Sequence, residues 1–357
     1  MLTSDTRVSR TPCSCPIDAT CFGGCRTRME VKIMSRISGL VLLVVLSGLI
    51  NGCAFVNVPL LSPAKPLEEQ VLEGEGKKKI LLLDVSGVIS EREKSGSLLS
   101  KGTPSMVDRI REALKKAETD DDVAGVIVKI NSPGGTVTAS DIIRHDISVF
   151  RERRKLPVYA CIMGVGASGG YYIATAADQI IAHPTAITGS IGVMLLKFNV
   201  EGLLEKVGVR EQTIKSGDKK DILSPFRAAT PEEQKLVQVI IDQLYVRFLD
   251  SVFSRPNNTL SRKELEILAD GRIYTAEQAL AARLIDKTGY LDDVITDMKK
   301  LLGVGQVKII TYYRPGSYKG SIYSETSPDT TSFPGILSLV GGADFIPESQ
   351  FMYLWQP

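Results

Sequence analysis

The chain has 357 residues, is 43% hydrophobic and 24% charged, and carries a formal net charge of +2 that becomes −1 without residues 1–52. That length can bury one large core or two small ones. The near-neutral balance gives no support to nucleic acid as a main partner.

Residues 1–33 hold four of the six cysteines, Cys13, Cys15, Cys21 and Cys25, at spacings that fit no common zinc pattern. They are expected to be a non-native upstream extension, with translation starting at Met34 or Met29. Residues 34–52 follow the logic of an export signal or membrane anchor, with basic Arg36 ahead of apolar Leu40–Ile50. Ile50-Asn51-Gly52-Cys53 resembles a bacterial lipobox, which makes Cys53 a lipidation candidate. The rival is an uncleaved span, because Ile37–Ala64 is 28 residues without a charge and about 20 suffice to cross a bilayer. Either reading tethers the body to a bacterial membrane on the extracytoplasmic side. Cys161 is then the one cysteine left in the body, and no disulfide is expected.

Residues 53–78, with their prolines and closing lysines, read as a linker. Lys79–Val85 is a strand apolar enough for burial on both faces. An amphipathic helix over Pro104–Thr119 and a second buried strand at Val123–Ile130 follow. Asn131–Gly135 breaks that strand, Thr138–Arg153 is helical, and Val158–Met163 is the third strand. After the helix that begins at Ser168 come a strand at Asp178–Ala182 and a turn-rich stretch, His183–Gly192. Short strands are expected at Val193–Leu196 and Glu211–Ile214, around a helix at Val200–Val207. Strands alternating with helices indicate an α/β fold with right-handed crossovers. The last third is mostly helical. Thr230-Pro231-Glu232-Glu233 opens a helix running to about Ser254, with a threonine cap, proline at the first position and glutamate at the third. Further helices are expected at Ser261–Ala269, Thr275–Ala282 and Leu291–Leu302. Residues 303–357 add one strand, Val307–Tyr313, and a flexible tail ending in apolar Phe351–Trp355.

The most pointed local feature is Ser168, between an apolar strand and a helix, followed by Gly169-Gly170. A serine at such a turn stands out of the packed layers, at the positive end of the helix. Glycines beside it let another backbone approach and leave N–H groups for an anion. Nucleophilic serines are presented this way, although a plain turn into a buried helix fits the same residues. A base is then needed, and the chain has two histidines, His145 on a solvated helix face and His183 on a loop. Lysine is the alternative, and three cluster in Lys215–Ser224. A free lysine near pKa 10.4 is neutral in about one molecule in 2,500 at pH 7. Making it a base takes a displacement of about 3 pH units, roughly 4 kcal/mol, which burial and nearby cations can supply. One of the three is therefore expected to be drawn into the fold, unless the cluster is simply a charged surface loop. Ser132–Gly135 and Thr188–Gly192 each fit a turn. Each could also serve a site: backbone N–H groups of Gly135 and Gly169 as an oxyanion hole, and Ser190 as a hydroxyl orienting an amine.

In that order and spacing, NSPGG (131–135), GASGGYY (166–172), TGSIGV (188–193), KSGDKKD (215–221) and DGRIYTAEQA (270–279) resemble the signal peptide peptidase A family, over residues 79–302. The resemblance implies a membrane-bound serine protease of α/β Clp protease/crotonase-like fold, built from repeated β-β-α units with a mostly helical C-terminal part. It implies a Ser–Lys dyad acting on cleaved signal peptides and similar apolar, extended peptides, with no cofactor, metal or nucleic acid. Carried over by motif, Ser168 is the nucleophile, Lys220 the base with Lys219 as fallback, Ser190 the lysine-orienting hydroxyl, and Gly135 and Gly169 the oxyanion donors. Short members form homo-oligomers with active sites at subunit junctions, so Lys220 is expected to reach Ser168 in its own or a neighbouring chain.

MGVGASGG before the nucleophile lacks the polar residue many relatives carry in that turn. The tail carries no family motif. In some relatives the tail reaches an active site of the assembly, and Phe351–Trp355 is expected either to do that or to touch the membrane. Two other classes compete: a catalytically inactive peptide-binding scaffold, and a crotonase-type acyl-CoA enzyme, which export argues against.

Overall fold

The computed structural model describes residues 66–93, 104–314, 320–324 and 350–356. Cys53 and the segment expected to be a signal or anchor lie outside them. Among the described residues no helix is long and apolar enough to cross a membrane.

In chain order the elements are β1 (Glu68–Glu73), β2 (Lys79–Ser86), α1 (Met106–Glu118), β3 (Val123–Ser132), β4 (Gly134–Thr136), α2 (Val137–Arg154), β5 (Val158–Ala167), α3 (Gly169–Ala174), β6 (Gln179–Ala182), β7 (Ile187–Gly189) and β8 (Met194–Leu195). There follow α4 (Glu201–Lys206), α5 (Pro231–Phe253), α6 (Arg262–Leu268), β9 (Ile273–Thr275), α7 (Ala276–Ala281), β10 (Lys287–Thr288), α8 (Leu291–Leu302), β11 (Lys308–Tyr313) and β12 (Phe351–Leu354). A main sheet runs β1-β11-β2-β3-β5-β6-β10, with β7 on β5 and β9 on β7. From β11 to β10 the pairing is parallel, and β1 closes one edge antiparallel to β11.

The apolar runs are continuous because this sheet is covered on both faces. In β3, Val126, Val128 and Ile130 join one core while Ile127 joins the other. In β5, Val158, Ala160 and Ile162 alternate in the same way with Tyr159 and Cys161. The first core takes in α1, α2 and α3, and α8 covers the other face through Leu291, Val294, Ile295 and Met298. Burial pushes the Cys161 thiol up to about 12, which leaves it unreactive at neutral pH.

Two expectations need correction. Glu68–Glu73, in the stretch read as linker, is a strand: its half-buried Gln70 and Leu72 alternate with exposed Glu69, Val71 and Glu73 while it pairs with β11. Glu211–Ile214 forms no strand, because no described strand lies alongside it to accept the pairing and Ile214 is fully exposed. The helix starts fared better. Thr230, Ser261 and Thr275 each cap a helix and close a capping box with Glu233, Glu264 and Gln278.

A second, three-stranded sheet has the order β4-β12-β8. Its central strand comes from the C-terminal end of the chain. The expectation that Phe351–Trp355 is a flexible tail thus gives way to a strand held on both edges.

Candidate active site

Ser168 lies where β5 passes into α3, with φ 53° and ψ −116°. Non-glycine residues rarely adopt positive φ, and holding one there costs on the order of 1–3 kcal/mol unless its surroundings fix it. Here they do: the Ser168 N–H donates to the Gly189 carbonyl at 2.7 Å, and the Ser168 carbonyl accepts from Tyr172 N–H at 2.8 Å. The side chain makes no capping bond to α3, so its hydroxyl is not spent on the helix it precedes. That helix is a single short turn and a half, shorter than the apolar run 169–177 suggests.

β7 brings Ser190 alongside. Ala167 pairs with Gly189 in parallel register, so Ser168 and Ser190 leave adjacent strand ends together. Ser190 also has positive φ, 50°, and its N–H donates to the Arg272 carbonyl at 2.8 Å. Four non-glycine residues among those described have positive φ, and two of them are these two serines. Thr188 Oγ1 donates to the Gly166 carbonyl at 2.7 Å and ties the two strands together behind them.

The SPGG turn approaches from β3. Ser132 Oγ donates to the Gly87 carbonyl at 2.6 Å and accepts the Gly134 N–H at 3.1 Å, which fixes the turn. A Cβ added at Gly134 would fall 2.8 Å from the Gly169 amide nitrogen, and one added at Gly169 would fall 2.5 Å from Ser140 Oγ. Both glycines are therefore required by close approach. Ile89 takes one edge of β4, donating to the Gly134 carbonyl and accepting from Thr136 N–H. That leaves the N–H and C=O of Gly135 turned to the other edge, where Tyr353 stands opposite. Ser168, Ser190, Gly135 and Gly169 thus meet at the carboxyl ends of β3, β5 and β7, the place where open α/β sheets hold ligands.

Lys220 is not part of this cluster within one chain. From Gly192 to Glu232 no residue is buried, and Lys220 is exposed in a turn. The expected burial of one of the three loop lysines is absent. Lys215 bonds Asp221 at 2.7 Å, and Lys219 bonds Glu232 at 2.6 Å. The Glu232 carboxylate holds the Lys219 ammonium above the ordinary lysine range, the wrong direction for a base. Lys220 has no side-chain partner among the described residues. The loop is fixed instead by Arg227, which bonds Asp221 and Glu233 at 2.7 and 2.6 Å. The buried lysine of the described residues is Lys129, and it faces away from the site, 3.6 Å from Asp84 and donating to the Ser324 carbonyl at 2.7 Å. His183 is engaged with Thr185 and meets the Tyr290 ring edge to face.

Reading the sequence missed the aromatic wall beside the serine. Tyr172, Phe248 and Tyr353 pack with ring centroids 4.7–5.0 Å apart. Tyr172 was visible in GASGGYY, but Phe248 and Tyr353 come from distant elements with no local signal linking them.

The chain matches Peptidase family S49 over residues 151–305 and Clp protease over residues 92–188. It is 37% identical over 245 residues to a protein of Enterococcus faecium provisionally named signal peptide peptidase SppA, which covers 69% of this chain and 70% of that one. Protease 4 of Salmonella typhi is 33% identical over 226 residues, 62% of this chain and 36% of its own length. Among solved structures, a membrane-bound stomatin-specific protease overlaps 62% of this chain and 85% of its own, at 16% identity and a TM-score of 0.39.

Proposed function

The chain belongs to peptidase family S49, that of signal peptide peptidase A, and is a serine protease of Clp-like α/β fold; from that premise we propose that it is a membrane-tethered endopeptidase that degrades cleaved signal peptides and similar apolar, extended peptides through a Ser168–Lys220 dyad. The observation that carries the reading is the strained Ser168 at the end of β5, with the equally strained Ser190 at the end of its parallel partner β7.

Lys220 acts on Ser168 of a neighbouring chain. Three features support this. Lys220 has no side-chain partner among the described residues, Lys215 and Lys219 are paired with carboxylates, and the arm that carries it exposes Phe198, Leu203, Val207, Val209 and Ile214. Apolar side chains left open in this number mark a contact surface, and a second copy seated there would desolvate Lys220 and lower its pKa. Neutral Lys220 then removes the Ser168 Oγ proton as Oγ attacks the scissile carbonyl. The Gly135 and Gly169 N–H groups hold the oxyanion, a contribution typically worth about 2.7–4 kcal/mol per donor. As the carbonyl re-forms, the C–N bond breaks and the Lys220 ammonium returns the proton to the leaving amine, giving an ester on Ser168. A water deprotonated by Lys220 attacks that ester, the C–O bond to Oγ breaks, and Ser168 recovers its proton. Ser190, buried beside Ser168, orients the lysine amine.

A fluorophosphonate probe tests this directly. Labelling is expected to fall on Ser168, to vanish in Ser168→Ala and Lys220→Ala, and to survive in Lys219→Ala. Labelling that survives Lys220→Ala and is lost in Lys219→Ala would move the base to Lys219. Mass spectrometry of the mature N-terminus tests the tether: a diacylated Cys53 supports a lipoprotein, and a retained 34–64 segment an uncleaved anchor.

A further inference from the structure

β5 does not run straight from the core to Ser168. Val158 to Ile162 pair residue for residue with Val126 to Ile130 of β3, and the next pair is Ser132 with Gly166. Between those pairs β3 has one residue, Asn131, and β5 has three, Met163, Gly164 and Val165. β5 also changes its other neighbour across this bulge. Up to Ile162 it pairs with β6, ending at Ala182, and from Val165 onward it pairs with β7, starting at Ile187. Bulges beside active sites re-aim side chains, and the strand end re-aimed here is the one that carries Ser168.

The added residues interrupt the ladder, so their N–H groups need other acceptors. For Val165 the acceptor is a side chain: its N–H donates to Asn131 Oδ1 at 3.0 Å. The Asn131 backbone is held independently, since Asn131 pairs with Ser86 of β2 and its carbonyl accepts from Gly87 N–H at 3.0 Å. The side-chain amide is thus a short strut from the β2–β3 ladder to the end of the bulge. The bulge fits closely around it. A Cβ added to Gly164 would fall 3.1 Å from Asn131 Oδ1, and one added to Gly166 would fall 2.6 Å from the Ile162 side chain. Ser168 follows three residues after the strut, and its N–H meets the Gly189 carbonyl through the Val165–Ala167 register on β7.

We propose that Asn131 is the positioning residue of the nucleophile: its side-chain carbonyl stands in for a missing ladder acceptor, holds the Met163–Val165 bulge, and so sets Ser168 against Ser190. The proposal rests on Ser168 being the nucleophile. Asn131 acts through the Val165 amide and not on the reacting atoms, and its amide does so without adding a charge beside the site.

The test reads the rate at which a fluorophosphonate labels Ser168 in the full chain, each variant being assayed well below its own melting midpoint. Asn131→Ala should lower that rate about 10²-fold, the loss that a displacement of about 1 Å produces. On a peptide substrate kcat should fall by the same factor, with KM little changed. Asn131→Asp keeps an acceptor oxygen at the same point and should return the rate to within about fivefold of the unaltered chain, a difference no larger than one hydrogen bond. Gly164→Ala presses on Oδ1 from the bulge side. It should slow labelling about tenfold by itself and not at all when Asn131 is already alanine, as two residues acting through one contact do. Three results would each overturn the positioning role and leave the protease reading intact: Asn131→Ala labelling at the unaltered rate, Asn131→Asp labelling as slowly as Asn131→Ala, or a Gly164→Ala effect that persists without the asparagine. If Asn131→Ala does not fold, Gly164→Ala alone decides, and a rate equal to that of the unaltered chain overturns the proposal. No labelling of the unaltered chain would overturn both readings.

Discussion

The strands that carry Ser168 have apolar side chains buried on both faces, and the turn at their ends is fixed by backbone bonds to Gly189 and Tyr172. The segment from Gly192 to Glu232, which carries Lys220, buries nothing and is held by the Arg227 ion pairs to Asp221 and Glu233 and by the Lys219–Glu232 pair. The first region is complete within one chain, because burial of each large aliphatic side chain is worth about 1.5–3 kcal/mol. The second has the surface composition of half an interface. The proposed dyad, divided between two such regions, would have its serine built in advance and its base tied to assembly.

The largest expected effect tests that division. Ser168→Ala and Lys220→Ala should each reduce peptide hydrolysis by roughly 10⁴-fold or more, as loss of a nucleophile or its base does. Mixing the two inactive variants after dissociation and reassembly should restore a measurable part of the activity, since some junctions then pair an intact Ser168 with an intact Lys220. A mixture as inactive as its components would place both residues of the dyad in one chain.

Within the buried region two substitutions separate stability from chemistry. Lys129→Ala removes the buried ammonium 3.6 Å from the Asp84 carboxylate, and should cost about 3–5 kcal/mol of unfolding free energy. Lys129→Met, which fills the volume but also lacks the charge, should be no better for Asp84. Lys129→Met joined to Asp84→Leu should recover most of the loss in a denaturant titration. Gly169→Ala acts on the chemistry. Its Cβ would press on Ser140 Oγ at 2.5 Å, and Ser140 is fully buried and bonded to the Thr136 carbonyl. The Gly169 amide would be displaced, and kcat should fall roughly 10²–10³-fold, the loss expected from one oxyanion donor.

The same contrast explains what could be read before the fold was known. β2, β3 and β5 announce themselves because two-sided burial makes continuous apolar runs, and α5, α6 and α7 because a hydroxyl and a Glu or Gln three residues on close a cap. Ser168, Gly135, Gly169 and Ser190 were legible as local turns, and the structure brings all four together. β1 was hidden because its exposed glutamates resemble a solvated linker, and its strand state depends on β11, some 240 residues later. Glu211–Ile214 misled in the opposite way, having the alternation of a strand and no partner. β12 and the packing of Tyr353 were illegible, because nothing in FMYL specifies pairing with Gly134–Thr136. Lys220 could be selected by motif alone, because among the described residues it is exposed and no side-chain partner marks it as a base.

The smallest expected effect concerns acid, and it bears on whether the arm is held by charge as its burial pattern implies. Hydrogen bonds from Arg227, then from the Thr230 amide, hold the Glu233 carboxyl down at about 2, and Arg227 and Lys215 hold Asp221 below the ordinary carboxylate range. A carboxyl whose folded pKa is depressed contributes stability that is complete above its unfolded value and is lost as pH falls through the folded one. The Glu233 contribution should therefore be intact above about pH 4.5 and disappear on the way to about pH 2. Hydrogen exchange read by mass spectrometry should show residues 219–236 losing protection across that window while β3 and β5 keep theirs. Raised salt at neutral pH should move 219–236 in the same direction by a smaller amount, because partly exposed pairs are screened. In Arg227→Ala the protection of 219–236 should be low at neutral pH and change little with acid. A segment that stays protected in that variant would be held by something other than these ion pairs, and the contrast with the buried strands would fail there.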